Sequence, residues 1–560
     1  MPASGGFLQG HSEGFCLRQE NISHSSVLCY DRDRSSEREV ETERMGNRIL
    51  IKNGNCMTME QGRRCEWVLL EEDKIVKLGN GDGYRQYETE GIRQIDAAGA
   101  TVLPGFIDNH FHLINSALME SWVNLEGADT FTEMGERLRC ACAEGRKVVL
   151  AYNLSVEELK EKRFPSRIEL DRICDDRPVF LLSRDVHTIV LNTFAILYYK
   201  MPFAANGVGL DDRKMPTGIF RGQAAALLET KVNEIFTPED FDEATQAFLP
   251  ALFCEGITTI AAMEGSNHLT GHGHDSECDF LVKNAARYPL SIELFYQTTD
   301  VRLVADEGLR RIGGALYIDG TFGTHSASLT TDYADMPGVR GYNFFTDGYM
   351  RSFVEECCEN GLQIGFDAIG DAAIDSVLDA LEYAARKRNV RPMRHRIEHA
   401  ELIRIDQMER AARLGVVLCM QPGYEERWGY PGGMYEERLG ARYGETNRFR
   451  EILDHGITIC GGSDHSVCEI SPMAAISSAV NHPVPENSIT RQEALEMYTI
   501  NGAYALFLEE ERGSIAEGKA ADLIILDRNL DEVSNSDLAE VKVNLTIKNG
   551  EIIYERTDAC

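Results

Sequence analysis

The chain has 560 residues and is 43% hydrophobic, which is enough for two or more domains or for one large barrel with a smaller module. Its net charge of −33, from 57 basic and 90 acidic residues, repels nucleic acid and anionic membranes, so neither is an expected partner. No apolar run approaches the roughly 18 residues of a membrane span, and the start of the chain lacks a secretory signal pattern, so we expect a cytoplasmic protein.

The two ends of the chain differ from its middle. Residues 1–44 are polar, rich in Ser, Glu and Arg, and show no sustained period, which predicts a disordered segment or an extension. Residues 45–100 carry short strands separated by Asn-Gly, Gly-Asn and Asp-Gly turns, and the same character returns over residues 506–560. Each piece is too small to bury a core, so the two together predict one small β-sandwich domain.

Between these pieces, residues 101–505 alternate predicted strands with helical stretches. Buried strands are predicted at residues 177–183, 256–261, 362–367, 415–420 and 456–461, and helices at residues 355–360, 372–386 and 405–414. Repeated strand–helix units imply an α/β fold with a parallel sheet, and the length favours a (β/α)8 TIM barrel over an open sheet. The stretch of about 121–250 exceeds one loop, so it predicts an insertion beside the barrel mouth.

A His-x-His pair near the end of an apolar strand is the most informative motif. Side chains two residues apart on a strand point the same way, so His110 and His112 place two imidazoles side by side. Such a pair is half of a metal site, although alone it can also be two surface histidines at a strand–loop junction. The acidic and histidine motifs that follow at wide spacing favour the metal interpretation.

Three later candidates stand at or just past predicted strands: Asp367, His399 and Asp464. The strand C-termini of a barrel converge on one face, so these residues can share one ion with the His-x-His pair. Taken singly, Asp367 can be a helix cap, His399 a core histidine and Asp464 a turn or N-cap residue. Taken together, they predict one divalent metal ion, zinc by preference, with iron and manganese as alternatives.

Seven segments, in the same order, resemble the metal-dependent amidohydrolase superfamily, in its N-substituted formamide deformylase-like branch. The resemblance covers residues 47–530 and is more specific for the family than for a substrate. Its segments are Pro104–His112, Arg184–Asn192, Pro216–Ile219, Ala368–Asp375, Arg396–Ala400, Gly462–Asp464 and Gly513–Asp522.

The resemblance implies roles for the matched residues. His110 and His112 would be first-strand metal ligands, and Asp464 would be the eighth-strand carboxylate that binds metal and moves a proton. His399 would be the sixth-strand histidine, either a ligand or a group beside the metal-bound water. His187 matches a histidine that lies near the substrate in this branch, and the alternative is a structural histidine of the insertion.

Two positions depart from the pattern of the branch. A fourth-strand lysine that can bridge two metals is expected where Ala315 stands, so a site with two metals is not expected. The fifth-strand histidine is replaced by Asp367, whose oxygen can still bind zinc at roughly 2.0–2.2 Å. His325, just after the fourth strand, could partly compensate as a ligand, but we expect a loop histidine.

An aromatic segment over residues 424–435 follows the seventh predicted strand, where barrel enzymes carry lids. Its Trp428, Tyr430 and Tyr435 are predicted to face an apolar or planar substrate. The alternative is a packed surface loop.

These observations favour an enzyme that hydrolyses a C–N bond other than a peptide bond, in a small amide, formamide or cyclic amide, with a metal-activated water. Asp464 and His399 are its predicted catalytic residues. The alternatives are a non-hydrolytic barrel enzyme on the same metal site (a decarboxylase, hydratase or isomerase) and a binding protein with a degraded site. The sequence does not identify the substrate, and it leaves open whether the chain forms a homo-oligomer.

Overall fold

The computed structural model describes residues 47–557, apart from residues 145, 157, 185–187, 202, 204, 222–223, 226, 229–230, 232–235 and 266–274. The prediction for residues 1–44 and the role of His187 therefore lie outside the described residues. In chain order the strands are β1 (Arg48–Lys52), β2 (Asn55–Met57), β3 (Arg64–Cys65), β4 (Trp67–Glu71), β5 (Lys74–Gly79), β6 (Arg93–Asp96), β7 (Thr101–Pro104), β8 (Phe106–Phe111), β9 (Val123–Asn124), β10 (Val149–Leu154), β11 (Val179–Ser183), β12 (Thr188–Leu191), β13 (Val208–Leu210), β14 (Pro216–Arg221), β15 (Ile257–Glu264), β16 (Ser291–Tyr296), β17 (Arg311–Tyr317), β18 (Gln363–Ala368), β19 (Arg396–His399), β20 (Val417–Met420), β21 (Ile459–Gly461), β22 (Leu523–Leu526), β23 (Val543–Lys548) and β24 (Glu551–Glu555). The α-helices are Leu113–Glu120, Phe131–Ala143, Arg167–Asp171, Thr193–Tyr198, Pro238–Cys254, Asp275–Asn284, Val301–Asp306, Asp347–Glu359, Asp371–Ala385, Ile405–Leu414, Gly423–Trp428, Met434–Leu439, Phe449–Asp454, Pro472–Val480, Arg491–Met497 and Ile500–Ala505.

Eight parallel strands form the predicted barrel. Their order in the sheet is β8, β15, β16, β17, β18, β19, β20 and β21, so the order of the barrel strands in space is their order in the sequence. The sheet closes where the Asp464 N–H donates to the His110 carbonyl at 2.9 Å and where Phe111 pairs with His465. A side chain is excluded at Gly462, because an added Cβ would lie 2.6 Å from the His110 nitrogen. The (β/α)8 fold class is confirmed.

Amphipathic patterns account for the barrel helices. The helix Ile405–Leu414 has the predicted bounds, and it ends because Gly415 adopts a left-handed φ of 71°. The prediction at 355–360 finds only the last part of the helix Asp347–Glu359. Gly348 in the first turn has a low helix propensity and weakens the helical pattern of the sequence. The helix nevertheless forms over its full length because its apolar face packs against the barrel.

Strands from both ends of the chain build the smaller module. One sheet has the order β5-β4-β1-β6 and the other the order β24-β23-β22-β7-β2-β3, in which C-terminal β22 pairs with N-terminal β7. Their apolar side chains meet in one core that includes Val68, Leu70, Val102, Leu523 and Ile547. The β-sandwich therefore needs both ends of the chain, because neither end alone supplies two packed sheets.

A separate six-stranded sheet, in the order β13-β14-β12-β11-β10-β9, lies between the first and second barrel strands in the sequence. The predicted strand at 177–183 is β11 of this sheet and not a barrel strand. The helix Pro238–Cys254 instead packs Phe241, Phe248 and Leu252 into the barrel core. Across the part of the chain that the structure covers, no helix has both the length and the apolar character needed to cross a bilayer.

His395 makes the stability of the barrel depend on pH. It lies buried before β19, its Nδ1 accepts the Ile364 N–H at 3.1 Å, and burial lowers its pKa to about 4. Between about pH 4 and 6.5 the unfolded chain therefore binds more protons at this residue than the folded chain, so stability is lost as the pH falls. From pH 7 to pH 5, we expect the free energy of unfolding to fall by about 2 kcal/mol more in the wild type than in His395→Gln. Urea unfolding at both pH values measures this difference, and equal losses would contradict it.

Candidate metal centre

Two histidines lie side by side at the end of the first barrel strand. His110 donates from Nδ1 to Glu398 Oε2 at 3.0 Å, and His112 donates from Nδ1 to the Met263 carbonyl at 3.0 Å. Their Nε2 atoms lie 3.5 Å and 3.4 Å, respectively, from Asp464 Oδ1. Each imidazole is thus oriented by a bond on one nitrogen and presents the other nitrogen to the same carboxylate oxygen.

His399 adds a third imidazole. It ends β19, its ring centroid lies 5.0 Å from that of His110, and its Nδ1 donates to Gln421 Oε1 at 2.7 Å. The φ angles of His399 and Asp464, 66° and 51°, fall in the left-handed region. Such conformations cost about 1–3 kcal/mol each and cluster at functional sites. The surrounding barrel therefore holds both residues in place against their own backbone preference.

Asp464 uses its two oxygens differently. Oδ1 faces His110 and His112, whereas Oδ2 accepts the Tyr424 hydroxyl at 2.5 Å. Burial opposes the charged form of this carboxyl group, but the imidazoles of His110, His399 and His112 outweigh burial and hold the Asp464 pKa well below its usual range. Asp464 is therefore a carboxylate at neutral pH.

A buried ion pair stands behind His110. Arg396 donates from Nε and Nη2 to the two oxygens of Glu398, at 2.9 and 2.6 Å, and its Nη2 also donates to the Asn109 carbonyl at 2.6 Å. The guanidinium carbon lies 4.7 Å from the ring centroid of Phe295. Because Glu398 also accepts from His110, the pair fixes the tautomer and orientation of that imidazole, as carboxylates commonly do behind metal-bound histidines.

Asp367 contacts His399. Its Oδ2 lies 3.2 Å from His399 Nε2, and both side chains are buried. Burial favours the neutral imidazole, but the Asp367 carboxylate outweighs it and raises the pKa of His399 to about 10. A separation of 3.2 Å fits an ion pair and equally fits two ligands of one cation. The assignment of Asp367 as a ligand stays a prediction.

The donor atoms fit a divalent cation. One atom from each of His110, His399 and Asp464 lies within 4.8 Å of the other two, whereas His112 lies outside that group and approaches only the Asp464 oxygen that also faces His110. Ligands about 2.0–2.1 Å from a tetrahedral ion are about 3.4 Å apart. The separations of 3.4 and 3.5 Å between Asp464 and the strand-one imidazoles match that spacing. Imidazole and carboxylate donors suit zinc, and also iron or manganese.

A second group of donors, His110, Glu398 and Cys419, also lies within 4.8 Å. Both oxygens of its carboxylate already accept from Arg396. This group therefore supports the first site and does not offer a separate one.

The fourth strand offers no donor at the position where the branch carries lysine. Ala315 is fully buried in an apolar cluster with Phe295 and Met263, and its methyl group cannot bind a metal ion. His325 lies in the loop after β17, where its Nε2 contacts Asp335 Oδ2 at 2.9 Å. This hydrogen bond holds His325 in the loop, as expected, and both observations favour one cation.

The aromatic segment 424–435 is packed more closely than a free lid. Tyr435 is buried and its hydroxyl donates to Glu401, so this side chain attaches the segment to the barrel. Trp428 is half-buried, with its ring centroid 4.8 Å from that of Tyr424, and Tyr430 is 50% exposed. Trp428 and Tyr430 remain predicted substrate contacts.

Three residues that contact the donors were not singled out from the sequence: Glu398, Gln421 and Tyr424. For Glu398 a signal existed, because Arg396 and Glu398 are two charged residues on the same face of a predicted buried strand. For Gln421 the only signal was its place directly after the seventh strand, and Tyr424 was noted only as the first residue of the aromatic segment 424–435.

Comparisons with known proteins show what the chain is similar to. The profile of a family described as "Amidohydrolase family" matches residues 93–554. The N-substituted formamide deformylase of Arthrobacter pascens is 27% identical over 546 residues, which cover 91% of this chain and 98% of the relative.

Solved structures give the same picture. An uncharacterized metal-dependent hydrolase of Pyrococcus furiosus is similar with a TM-score of 0.71 and 26% identity, over 86% of this chain and 99% of its own. Another, from Pyrococcus horikoshii OT3, has a TM-score of 0.71 and 24% identity, over 91% of this chain and 100% of its own. The similarity thus extends over most of the chain, and the bounds of the family profile enclose every barrel strand.

Proposed function

This chain belongs to the amidohydrolase family, and on that premise we propose that it hydrolyses a C–N bond in a non-peptide amide, formamide or cyclic amide. The proposal assigns one divalent cation, zinc by preference, to His110, His112, His399 and Asp464, with Asp367 as a further donor. The name of the formamide deformylase relative supports the bond type, and the absence of a donor at Ala315 supports a single cation. We expect the reaction to take place in the cytoplasm.

The observation that carries the proposal is the shared orientation of three imidazoles. His110, His112 and His399 each donate from Nδ1 to an acceptor and turn Nε2 toward a buried carboxylate. Metal-binding histidines need this arrangement, because the bond on one nitrogen fixes the tautomer that leaves the other free. Three core histidines with separate structural roles would not be expected to share this orientation.

The residues of this chain divide the proposed chemistry among them. When bound, a divalent cation polarises the carbonyl group and lowers the pKa of water to about 7. The ionised Asp464 accepts a proton from the water, whose oxygen forms a bond to the carbonyl carbon. Asp464 then returns the proton to the amide nitrogen as the C–N bond breaks, which gives a carboxylic acid and an amine. His399 has its Nδ1 fixed by Gln421, so its other nitrogen, Nε2, would hold the cation beside this proton path.

A substrate screen tests the proposal. Purified protein with added zinc, iron or manganese is incubated with N-formyl, N-acyl and cyclic amide compounds, and released amine and acid are quantified. Equal amounts of amine and acid are expected for a substrate that opens at an acyclic C–N bond. Turnover without a new amine would favour the decarboxylase, hydratase or isomerase alternative. A protein that binds none of the three metals and turns nothing over would contradict the proposal.

Substitutions at Asp367 test its place among the ligands. Asp367→His restores the donor type of the branch, so we expect zinc affinity to be kept or raised. Asp367→Ala removes a donor and is expected to weaken zinc binding by about 10- to 100-fold. Competition with a chromophoric chelator measures both dissociation constants, and Asp379→Ala, which breaks only a surface ion pair with Arg410, is the control. Zinc affinity that is indifferent to both substitutions would remove Asp367 from the donor set.

A further inference from the structure

Tyr424 is a buried tyrosine that no step of the proposed hydrolysis uses. It follows β20 near the start of the helix Gly423–Trp428, and only 4% of its surface is exposed. Its hydroxyl donates to Asp464 Oδ2 at 2.5 Å. Its ring stacks on the His399 imidazole, with centroids 5.9 Å apart and 10° between the planes. One side chain therefore contacts two of the candidate ligands.

The Tyr424 hydroxyl engages the Asp464 oxygen that does not face His110 and His112. Because Oδ2 is engaged by Tyr424, Oδ1 is the oxygen that lies 3.5 Å from His110 Nε2 and 3.4 Å from His112 Nε2. Rotation of the carboxylate would break a short hydrogen bond to a charged acceptor, which is among the stronger kinds of hydrogen bond. The left-handed φ of Asp464, 51°, sets the direction in which its side chain leaves the backbone.

We propose that Tyr424 is a positioning residue that holds Asp464 in one orientation, so that Oδ1 alone serves the cation and the proton transfer. This inference rests on the proposed function of Asp464. The residues that follow β20 also restrain His399. The Tyr424 ring stacks on its imidazole, and Gln421 Oε1 lies 2.7 Å from its Nδ1. The end of the seventh strand thus orders ligands that the sixth and eighth strands supply.

The variant Tyr424→Phe isolates the hydroxyl, because phenylalanine keeps the ring that stacks on His399. We expect its zinc affinity and its kcat each to fall by about 10- to 100-fold, with KM changed by less than about twofold. Zinc affinity is measured by chelator competition, and kcat and KM with a substrate identified by amine release. The matched control is Tyr333→Phe, which removes a buried hydroxyl that donates to the Ala327 carbonyl at 2.8 Å in the same aromatic cluster. Its zinc affinity and kcat should stay at the wild-type values.

A second variant guards against a general packing defect. Incorporation of 3-fluorotyrosine at position 424 keeps a hydroxyl donor, and zinc affinity and kcat are expected to remain close to the wild-type values. If the 3-fluorotyrosine protein loses as much zinc affinity and kcat as Tyr424→Phe, the inference is overturned. It is also overturned if Tyr424→Phe behaves like Tyr333→Phe.

A parallel assay of Asp464→Asn distinguishes failure of this inference from failure of the proposed function. If Asp464→Asn binds zinc and turns over like the wild type, the proposed function itself fails. If Asp464→Asn is defective and Tyr424→Phe is not, only the role of Tyr424 is overturned.

Discussion

Replacing Asp464 by asparagine is expected to lower kcat/KM by about 100- to 10,000-fold, because the variant loses the group assigned to proton transfer. The amide of asparagine has the size of the carboxyl group and can still accept the Tyr424 hydroxyl, but it does not take up a proton at neutral pH. The Asp464 N–H that closes the barrel on the His110 carbonyl is a backbone group and is kept. The loss should therefore appear in activity and metal binding and not in the fold.

Steady-state kinetics, zinc affinity and the thermal unfolding midpoint of Asp464→Asn measure these three properties separately. The control is Asp406→Asn, which alters only an exposed ion pair with Arg404 on an outer helix. Kinetics in Asp464→Asn that equal those of the wild type and the control would remove Asp464 from the mechanism.

Removing the Glu398 carboxylate is expected to cost both stability and metal affinity. In Glu398→Ala the guanidinium of Arg396 stays buried without its partner, and breaking a buried pair in this way typically costs about 3–5 kcal/mol. His110 also loses the acceptor on Nδ1 that fixes its tautomer, so zinc affinity should fall by about 10- to 100-fold. Urea unfolding and chelator competition measure the two losses.

Two further variants separate these effects. Glu382→Ala breaks ion pairs with Arg410 and Arg413 on the outer surface, where about 1 kcal/mol or less is expected. The double variant Arg396→Met with Glu398→Leu removes both buried charges, so much of the stability should return while zinc affinity should not. A double variant that regains wild-type zinc affinity would show that Glu398 does not orient a ligand.

The sequence was sufficient to place the candidate ligands that follow simple strand rules. His110 and His112 could be paired because the two-residue period of a strand puts both imidazoles on one side. Asp464 could be placed beside them because barrel strands converge at their C-terminal ends. The fold class was also predictable, since strand–helix alternation over residues 101–505 leaves few other architectures.

Contacts that depend on the three-dimensional register of the barrel could not be predicted. Glu398 and His110 are 288 residues apart, and Tyr424 and Asp464 are 40 residues apart, so no local pattern joins them. His399 follows Glu398 directly, and its φ of 66° ends the strand alternation, so its orientation could not be inferred from the period. For Asp367 the sequence indicated a strand end but not the contact with His399.

The aromatic segment 424–435 shows a similar limit. Its composition predicted side chains that face a substrate, whereas Tyr435 instead donates to Glu401 and packs among Phe322 and Leu439. An aromatic side chain contributes as much by filling a core as by lining a pocket, and only the packing distinguishes the two uses.

The most direct test of a shared cation is anomalous diffraction at the zinc absorption edge, from crystals of the full-length protein grown with zinc. We expect one peak, about 2.0–2.2 Å from His110 Nε2, His112 Nε2 and Asp464 Oδ1. A zinc peak elsewhere with none among these three atoms, or an empty site in crystals of a protein that hydrolyses its substrate, would contradict the proposal.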